Sequence, residues 1–297
     1  MSSIPNSGAD IISPQRRRER RENKGSDANV PVVTRSPLCL CGFTMLSVVV
    51  MAAVLAPWLS PHGPTEQLYR DLALAPPSWA HWIGVDDVGR DVLTRILFGA
   101  RATLGIALGA TAIALIGGVA LGAAAGTWRG WFDAIISHVT DFLLAFPSIL
   151  LGLVALAILT PSPTSVAIAV GIASLPTIVR QVRAAFVSES AKEYVLAARA
   201  TGAGQWRIAA LEILPNCAGL ILVLTTLTLG GAVLEAAGLA FLGLSGQPDL
   251  PEWGMMLREE QGTFRIAPWL CIAPGLAITW TVLAFNLLSD GLRQRRR

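Results

Sequence analysis

The sequence predicts an all-α, polytopic membrane protein with six transmembrane helices, and three observations carry that prediction. Of its 297 residues, 53% are hydrophobic and 14% charged, whereas a soluble domain carries about 25% charged residues. Apolar stretches of the ~20 residues needed to cross a ~30 Å hydrocarbon core recur along the chain. Arginines gather at both ends and in one central segment, as expected of parts retained on one side of a bilayer.

The elements follow in order. Residues 1–36 are polar, rich in Ser, Pro, Asn and Arg, and include "RRRERRENK" (Arg16 to Lys24); this composition predicts a disordered basic cytoplasmic tail. The first span, 38–59, reads "LCLCGFTMLSVVVMAAVLAPWL". It is too long for a signal-peptide core and has no clear A-x-A site, so it is read as a retained anchor. The second, 101–126, is a Gly/Ala-rich run in which Gly105–Gly109 and Gly118–Gly122 have the G-x-x-x-G spacing of close helix packing. That spacing fits packing inside one subunit at least as well as dimerisation. The third, 134–159, runs through "LLAFPSILLGLVALAIL", and the fourth, 164–187, contains Pro176, Arg180 and Arg183. The fifth, 217–242, carries Glu235, and the sixth spans 268–291. "DVLTRILFGARATL", ahead of the second span, has the makings of an amphipathic helix at the outer interface.

Loop charges set the orientation. The segments 60–100 and 243–267 are acid-rich, while cations gather in the two tails, at Arg129 in 127–133, and from Arg180 to Asn216, which holds Arg180, Arg183, Lys192, Arg199 and Arg207. Both basic ends on one side require an even number of spans; a five-span reading, dropping the weak fourth, would put one of them outside. Both termini are therefore expected in the cytoplasm. The basic tails are read as topology signals, with no nucleic acid as partner. The four cysteines, Cys39, Cys41, Cys217 and Cys271, lie in or beside apolar spans without zinc-site or disulfide spacing.

Catalytic and motor chemistry is missing from the motifs. The lysines, Lys24 and Lys192, lie outside any glycine-rich loop, so the chain has no G-x-x-x-x-G-K-[ST] phosphate cradle. No H-E-x-x-H occurs and "GLSGQ" departs from G-x-S-x-G. Neither catalytic residues, cofactor-binding residues nor metal ligands are expected. Energy must come from an ion gradient or from another subunit. Ionisable groups inside spans mark ion paths because hydrocarbon makes them costly; Asp141 and Glu235 are the candidates here, for a path or for a gating contact.

The central segment "EYVLAARATGAGQWRIAALEILPN" (Glu193 to Asn216) is charged and hinged. A helix from Glu189 to Ala200 would put Tyr194, Ala197, Ala198 and Thr201 on one face. Gly202 is placed to end it in a left-handed conformation. Trp206, Ala209, Ala210 and Ile213 form a second stripe before Pro215. A smooth alanine face with one aromatic suits a groove on a partner; an interfacial helix on lipid is the alternative.

At these residues the chain resembles the permease subunits of ABC importers, whose inner loop reads E-A-A-x-x-x-G, nine residues, then I-x-L-P. Ala197, Ala198, Gly202, Leu214 and Pro215 match at that spacing, while Leu196 stands for the Glu and Glu212 for the Ile. "HWIGVDDVGRDVLTRILFGARATL", "DFLLAFPSILL", "FLGLSGQPDLPEWGMML" and "PGLAITWTVLAFNLLSDGLR" are similar to the second (C-type) permease of the dipeptide/oligopeptide/nickel family. The resemblance covers about residues 38–293. It implies a type I importer permease fold, with 37–297 as the transmembrane permease domain and 188–216 as the cytoplasmic coupling loop. It implies a bacterial inner-membrane location and import of peptides or nickel and other metal chelates. The partners it implies are a second homologous permease, two cytoplasmic ATPases that hold ATP and Mg, and an extracytoplasmic binding protein. Glu193, Tyr194, Ala197, Ala198, Gly202, Leu214 and Pro215 would be at the ATPase contact. The ion-gradient-driven secondary transporter is the alternative from a different class, and it would require acids lining a path.

Overall fold

The computed structural model describes residues 37–60, 62–245 and 250–294. The predicted N-terminal tail, 1–36, lies outside them.

Among the described residues the chain is helical, with one isolated β-bridge, Val85 to Asp91. The helices are α1 (Pro37–Leu59), α2 (Val92–Thr127), α3 (Trp131–Leu144), α4 (Ser148–Ile158), α5 (Pro163–Glu189), α6 (Glu193–Ala200), α7 (Gln205–Phe241), α8 (Trp253–Glu260) and α9 (Trp269–Gln294). Five of them, α1, α2, α5, α7 and α9, are long and apolar enough to cross a membrane, and α3 with α4 forms a bent pair that passes the same test.

The third span is therefore not the continuous helix expected over 134–159. It breaks at Ala145–Pro147 and turns through 97°. Pro147 supplies the reason: it has no N–H for the preceding turn, and it disfavours helical backbone at Phe146. Helix direction shows that the pair nevertheless traverses the bundle. Gly118 faces Ile178, Gly122 faces Val179 and Val182, and Gly126 faces Phe186, so α2 and α5 run in the same direction side by side. Two successive parallel helices need a return crossing between them, and α3 with α4 supplies it. The crossings thus number six. A Cβ on Gly118 or Gly126 would lie 2.5 Å from an α5 side-chain carbon, so this glycine row serves packing within the subunit. Gly105 faces open space.

The second span starts earlier than expected. The region "DVLTRILFGARATL" is the first third of a 36-residue α2, begun by Asp91, whose side chain accepts from the Thr94 N–H at 2.8 Å. The region is not an interfacial helix, and Arg95 within it is 2% exposed and bridges Asp86 at 3.0 Å and Glu259 at 2.7 Å. Paired in this way it sits inside the fold. Arg90 joins the same two acids at 2.5 and 3.0 Å. Residues 62–91 fold over that end as a small cap. Tyr69 N–H donates to Gly89 O, Leu74 N–H to Asp86 O, and the His81 ring meets Asp91 at 3.1 Å.

Contacts also orient the ends. Ser60 and Thr94 hydroxyls lie 2.6 Å apart, bringing the end of α1 to the start of α2. Gly291 packs on Cys39 backbone, bringing the end of α9 to the start of α1. Pro37 and Gln294 thus share the bundle end where α2 finishes and α6 lies. The cap and α8 occupy the other end.

Glu252 at the start of α8 is fully buried, and neither carboxylate oxygen finds a hydrogen-bond partner among the described residues. Burial pushes its carboxyl from 4.5 up to about 7. The folded state thus holds this proton more tightly than the unfolded chain. Its stabilisation is complete below pH ~4.5 and is lost as pH rises through ~7, by about 3 kcal/mol at most. Glu252→Gln, always neutral, is expected to melt at a temperature less sensitive to pH between 5 and 8.5, overtaking the parent at the alkaline end. Parallel melting curves for the two proteins would refute a buried titrating carboxyl.

Candidate functional site

The break in the third span opens onto a cavity with polar and apolar groups on its walls. Irregular backbone at membrane depth is tolerated where protein or a water-filled cavity covers it, and broken helices in transporters mark substrate sites. Here a space of about 230 Å³ is lined by Ser148 at the start of α4, by Ser174, Thr177 and Gln181 on α5, and by Thr228 and Glu235 on α7. Ser148 Oγ donates to Glu235 Oε1 at 2.5 Å, tying the broken span to α7. The hydroxyl's bond to the carboxylate offsets part of the cost of an acid at this depth.

The other expected polar residue falls elsewhere. Asp141 is 56% exposed and pairs with Arg180 at 2.9 Å, nearer the α6 end. Arg183 makes two hydrogen bonds to Asp133 beside it. These pairs hold α3 against α5 around a second, smaller space of about 130 Å³. Asp141 and Glu235 therefore line separate spaces: Glu235 the larger cavity, and Asp141 the smaller one between α3 and α5. Gln181, Ser174 and Thr177 were missed in the sequence because uncharged polar residues in a span carry little signal. Their spacing of three and four residues on one helix face was the available clue.

At the same end, α5 stops at Glu189, a turn over Ser190–Lys192 follows, and α6 runs from Glu193 to Ala200. The expected helix from Glu189 is thus two pieces. Val195 is fully buried against the cluster formed by Phe186, Ile208 and Ile213. Tyr194 is half-buried and its hydroxyl donates to the Glu189 carboxylate at 2.8 Å. Burial pushes the phenol up to about 12, with the Glu189 carboxylate adding to the shift, so it remains a neutral donor. Of the predicted stripe, Tyr194 and Ala198 lean on their own chain while Ala197 and Thr201 are exposed. Glu193 and Leu196 are exposed too, Leu196 by 51%.

Gly202 ends α6 as expected, at φ +83°. Its N–H donates to Arg199 O and the Ala203 N–H to Ala198 O, the paired bonds of a Schellman cap. The second stripe is continuous with the fifth span, because α7 already begins at Gln205. Pro215 is accommodated by a wider π-helical stretch, Ile208–Ile213, just before it. A regular turn would set the proline ring against the Leu211 carbonyl, and the π-turn relieves that contact. Leu214 is half-buried and Pro215 exposed in the turn that follows. Trp206, 69% exposed, stacks on Trp128 at 5.8 Å between ring centres, pinning the start of α7 to the end of α2.

Comparison with known proteins fits this geometry. Residues 118–295 match the family of binding-protein-dependent transport system inner membrane components. Residues 34–77 match the N-terminal transmembrane domain of oligopeptide transport permease C. The chain is 42% identical over 260 residues to the di/tripeptide transport system permease protein DppC of Pseudomonas aeruginosa, covering 86% of each chain. It is 42% identical over 287 residues to the dipeptide transport system permease protein DppC of Escherichia coli K12, covering 92% of this chain and 95% of that one. It is 42% identical over 238 residues to the glutathione transport system permease protein GsiD of Pectobacterium atrosepticum, covering 80% and 79%.

Proposed function

The chain belongs to the family of inner membrane components of binding-protein-dependent transport systems, and from that premise we infer that it forms half of the path by which short peptides are imported. It is a permease subunit of an ABC importer in the inner membrane, a transport component and not an enzyme. An ATPase on a separate chain and a substrate-binding protein are its partners. The other half of the path is a second, homologous permease, and two ATPases holding ATP and Mg serve the pair. Both chain ends and α6 face the cytoplasm in this reading, and the cap and α8 face the binding protein. The substrate class follows the relatives, whose names specify dipeptides, di/tripeptides and glutathione.

The observation that carries the reading is the cavity at the broken span. Its walls connect physically to the cytoplasmic segment. Glu189, which accepts from Tyr194, is the last residue of α5, and α5 carries Ser174, Thr177 and Gln181. Val195 packs on Ile208 and Ile213, which begin α7, and α7 carries Thr228 and Glu235. Closure of the ATPases against Glu193, Leu196, Ala197 and Gly202 would push on both cavity walls at once. Tyr194, Ala198, Leu214 and Pro215 would then brace the contact from within. Five of the six polar groups in the cavity are uncharged hydroxyls or amides and the rest of the wall, including Ile178, Leu224 and Leu227, is apolar, a mixture that suits a peptide's backbone donors and acceptors and its side chains. The gradient-driven alternative needs a line of acids, and Asp141 is paired with Arg180 away from Glu235.

Cells carrying the complete importer are expected to take up labelled dipeptide in an ATP-dependent way that survives a proton uncoupler, with the ATPases co-purifying with this chain. Uptake abolished by the uncoupler at constant ATP would reject the proposal.

A further inference from the structure

We propose that the end of the bundle opposite α6 holds a hydrated divalent cation of the hard type, Ca²⁺ or Mg²⁺, between Asp87 and Glu260 with Asp86 at the third corner. One ligand atom from each of these residues lies within 4.8 Å of the others. Glu260 is 2% exposed, and its Oε1 has no hydrogen-bond partner among the described residues. Its Oε2 accepts from Thr263 Oγ1 at 2.9 Å, and the Asp87 backbone N–H also acts on this carboxylate.

The local charges point the same way. Four acids, Asp86, Asp87, Glu259 and Glu260, meet two guanidiniums, Arg90 and Arg95. Both guanidiniums bind Asp86 Oδ2 and Glu259 Oε2. Asp86 Oδ1 accepts from the N–H groups of Val88 at 3.1 Å and Arg90 at 2.7 Å. Asp86 is thus nearly saturated and contributes mainly charge, while Asp87 and Glu260 have no ion-pair partner among the described residues. Asp87 is exposed and gives access from solvent. Two carboxylates with remaining positions taken by water suit oxygen-seeking Ca²⁺ or Mg²⁺ rather than metals that favour nitrogen or sulfur. The ion would join the cap between α1 and α2 to the end of α8. The orientation proposed above makes this the extracytoplasmic face, but the site stands on its geometry alone.

The test uses the importer complex in nanodiscs, stripped with chelator and free of nucleotide. Terbium luminescence excited through tryptophan provides the binding readout, since Trp269 packs on Gly84, two residues from Asp86. Addition of Ca²⁺ in the ~0.1–1 mM range typical of extracellular sites is expected to displace terbium and to raise the melting temperature by about 2–4 °C. The double variant Asp87→Asn/Glu260→Gln should lose both responses, with affinity at least tenfold weaker. In chelator it should melt no lower than the parent, because two carboxyls crowded against Asp86 are replaced by neutral amides of the same size. Absence of any response in the parent to Ca²⁺ or Mg²⁺ would overturn the proposal, as would an equal response in the double variant. A double variant less stable than the parent in chelator would overturn it too, since the carboxylates would then hold the fold without an ion.

Discussion

Gly202→Val is expected to lower dipeptide uptake at least tenfold while the chain still inserts and assembles. The physical reason is local. Gly202 sits at φ +83°, where an L side chain costs about 1–2 kcal/mol and a β-branched one more. A Cβ there meets nothing within 4 Å, so the bundle itself is not strained. What fails is the cap: the Ala203-to-Ala198 and Gly202-to-Arg199 bonds hold the end of an eight-residue helix too short to persist alone. With its last turn frayed, α6 presents Leu196 and Ala197 less rigidly to the ATPase, and closure there no longer reaches α5 and α7. Gly202→Asn, which tolerates the left-handed region, should retain most uptake. ATP hydrolysis by the assembled complex, measured beside uptake, distinguishes uncoupling from loss of the complex. Near-normal uptake by the valine variant at equal membrane abundance would remove α6 from the coupling machinery.

Much of this architecture was legible in the sequence because lipid enforces simple rules. Span length, the arginine distribution and the glycine spacing each report on one physical constraint, and α1, α5 and α9 begin and end within two or three residues of the expected limits. Three features were hidden for identifiable reasons. Pro147 reads as one more residue in an apolar run, since proline is tolerated in many membrane helices; its 97° effect depends on a cavity that accepts the broken backbone. The start of α2 looked interfacial because the partners that bury Arg95, Asp86 and Glu259, lie 9 and 164 residues away from it. Tyr194 looked like an outward knob because helical spacing defines a stripe without saying which side is covered. Burial of Val195 next to it decides that, and Val195 carries no distinctive signal of its own.

Glu235 is the residue whose replacement should most directly impair the path. It is the cavity's acid, and its hydrogen bond from Ser148 joins the first residue of α4 to the wall formed by α7. Glu235→Leu would leave the Ser148 hydroxyl without that acceptor and line the cavity with hydrocarbon. A charged hydrogen bond of this kind is worth about 1.5–3 kcal/mol, or roughly ten- to a hundredfold in an equilibrium between two arrangements of the helices. Uptake is accordingly expected to fall at least tenfold, with ATPase assembly unchanged because Glu235 lies far from α6 along α7. Glu235→Gln keeps an acceptor oxygen for Ser148 and the same volume, so it should retain more uptake than the leucine variant. Ser148→Ala should reproduce part of the leucine defect, since it removes the same bond from the other side. If Glu235→Gln were as impaired as Glu235→Leu while Ser148→Ala transported normally, the negative charge itself would be the working feature. The carboxylate would then meet the cargo directly, as a counter-ion for a peptide ammonium group, and the latch between α4 and α7 would be incidental.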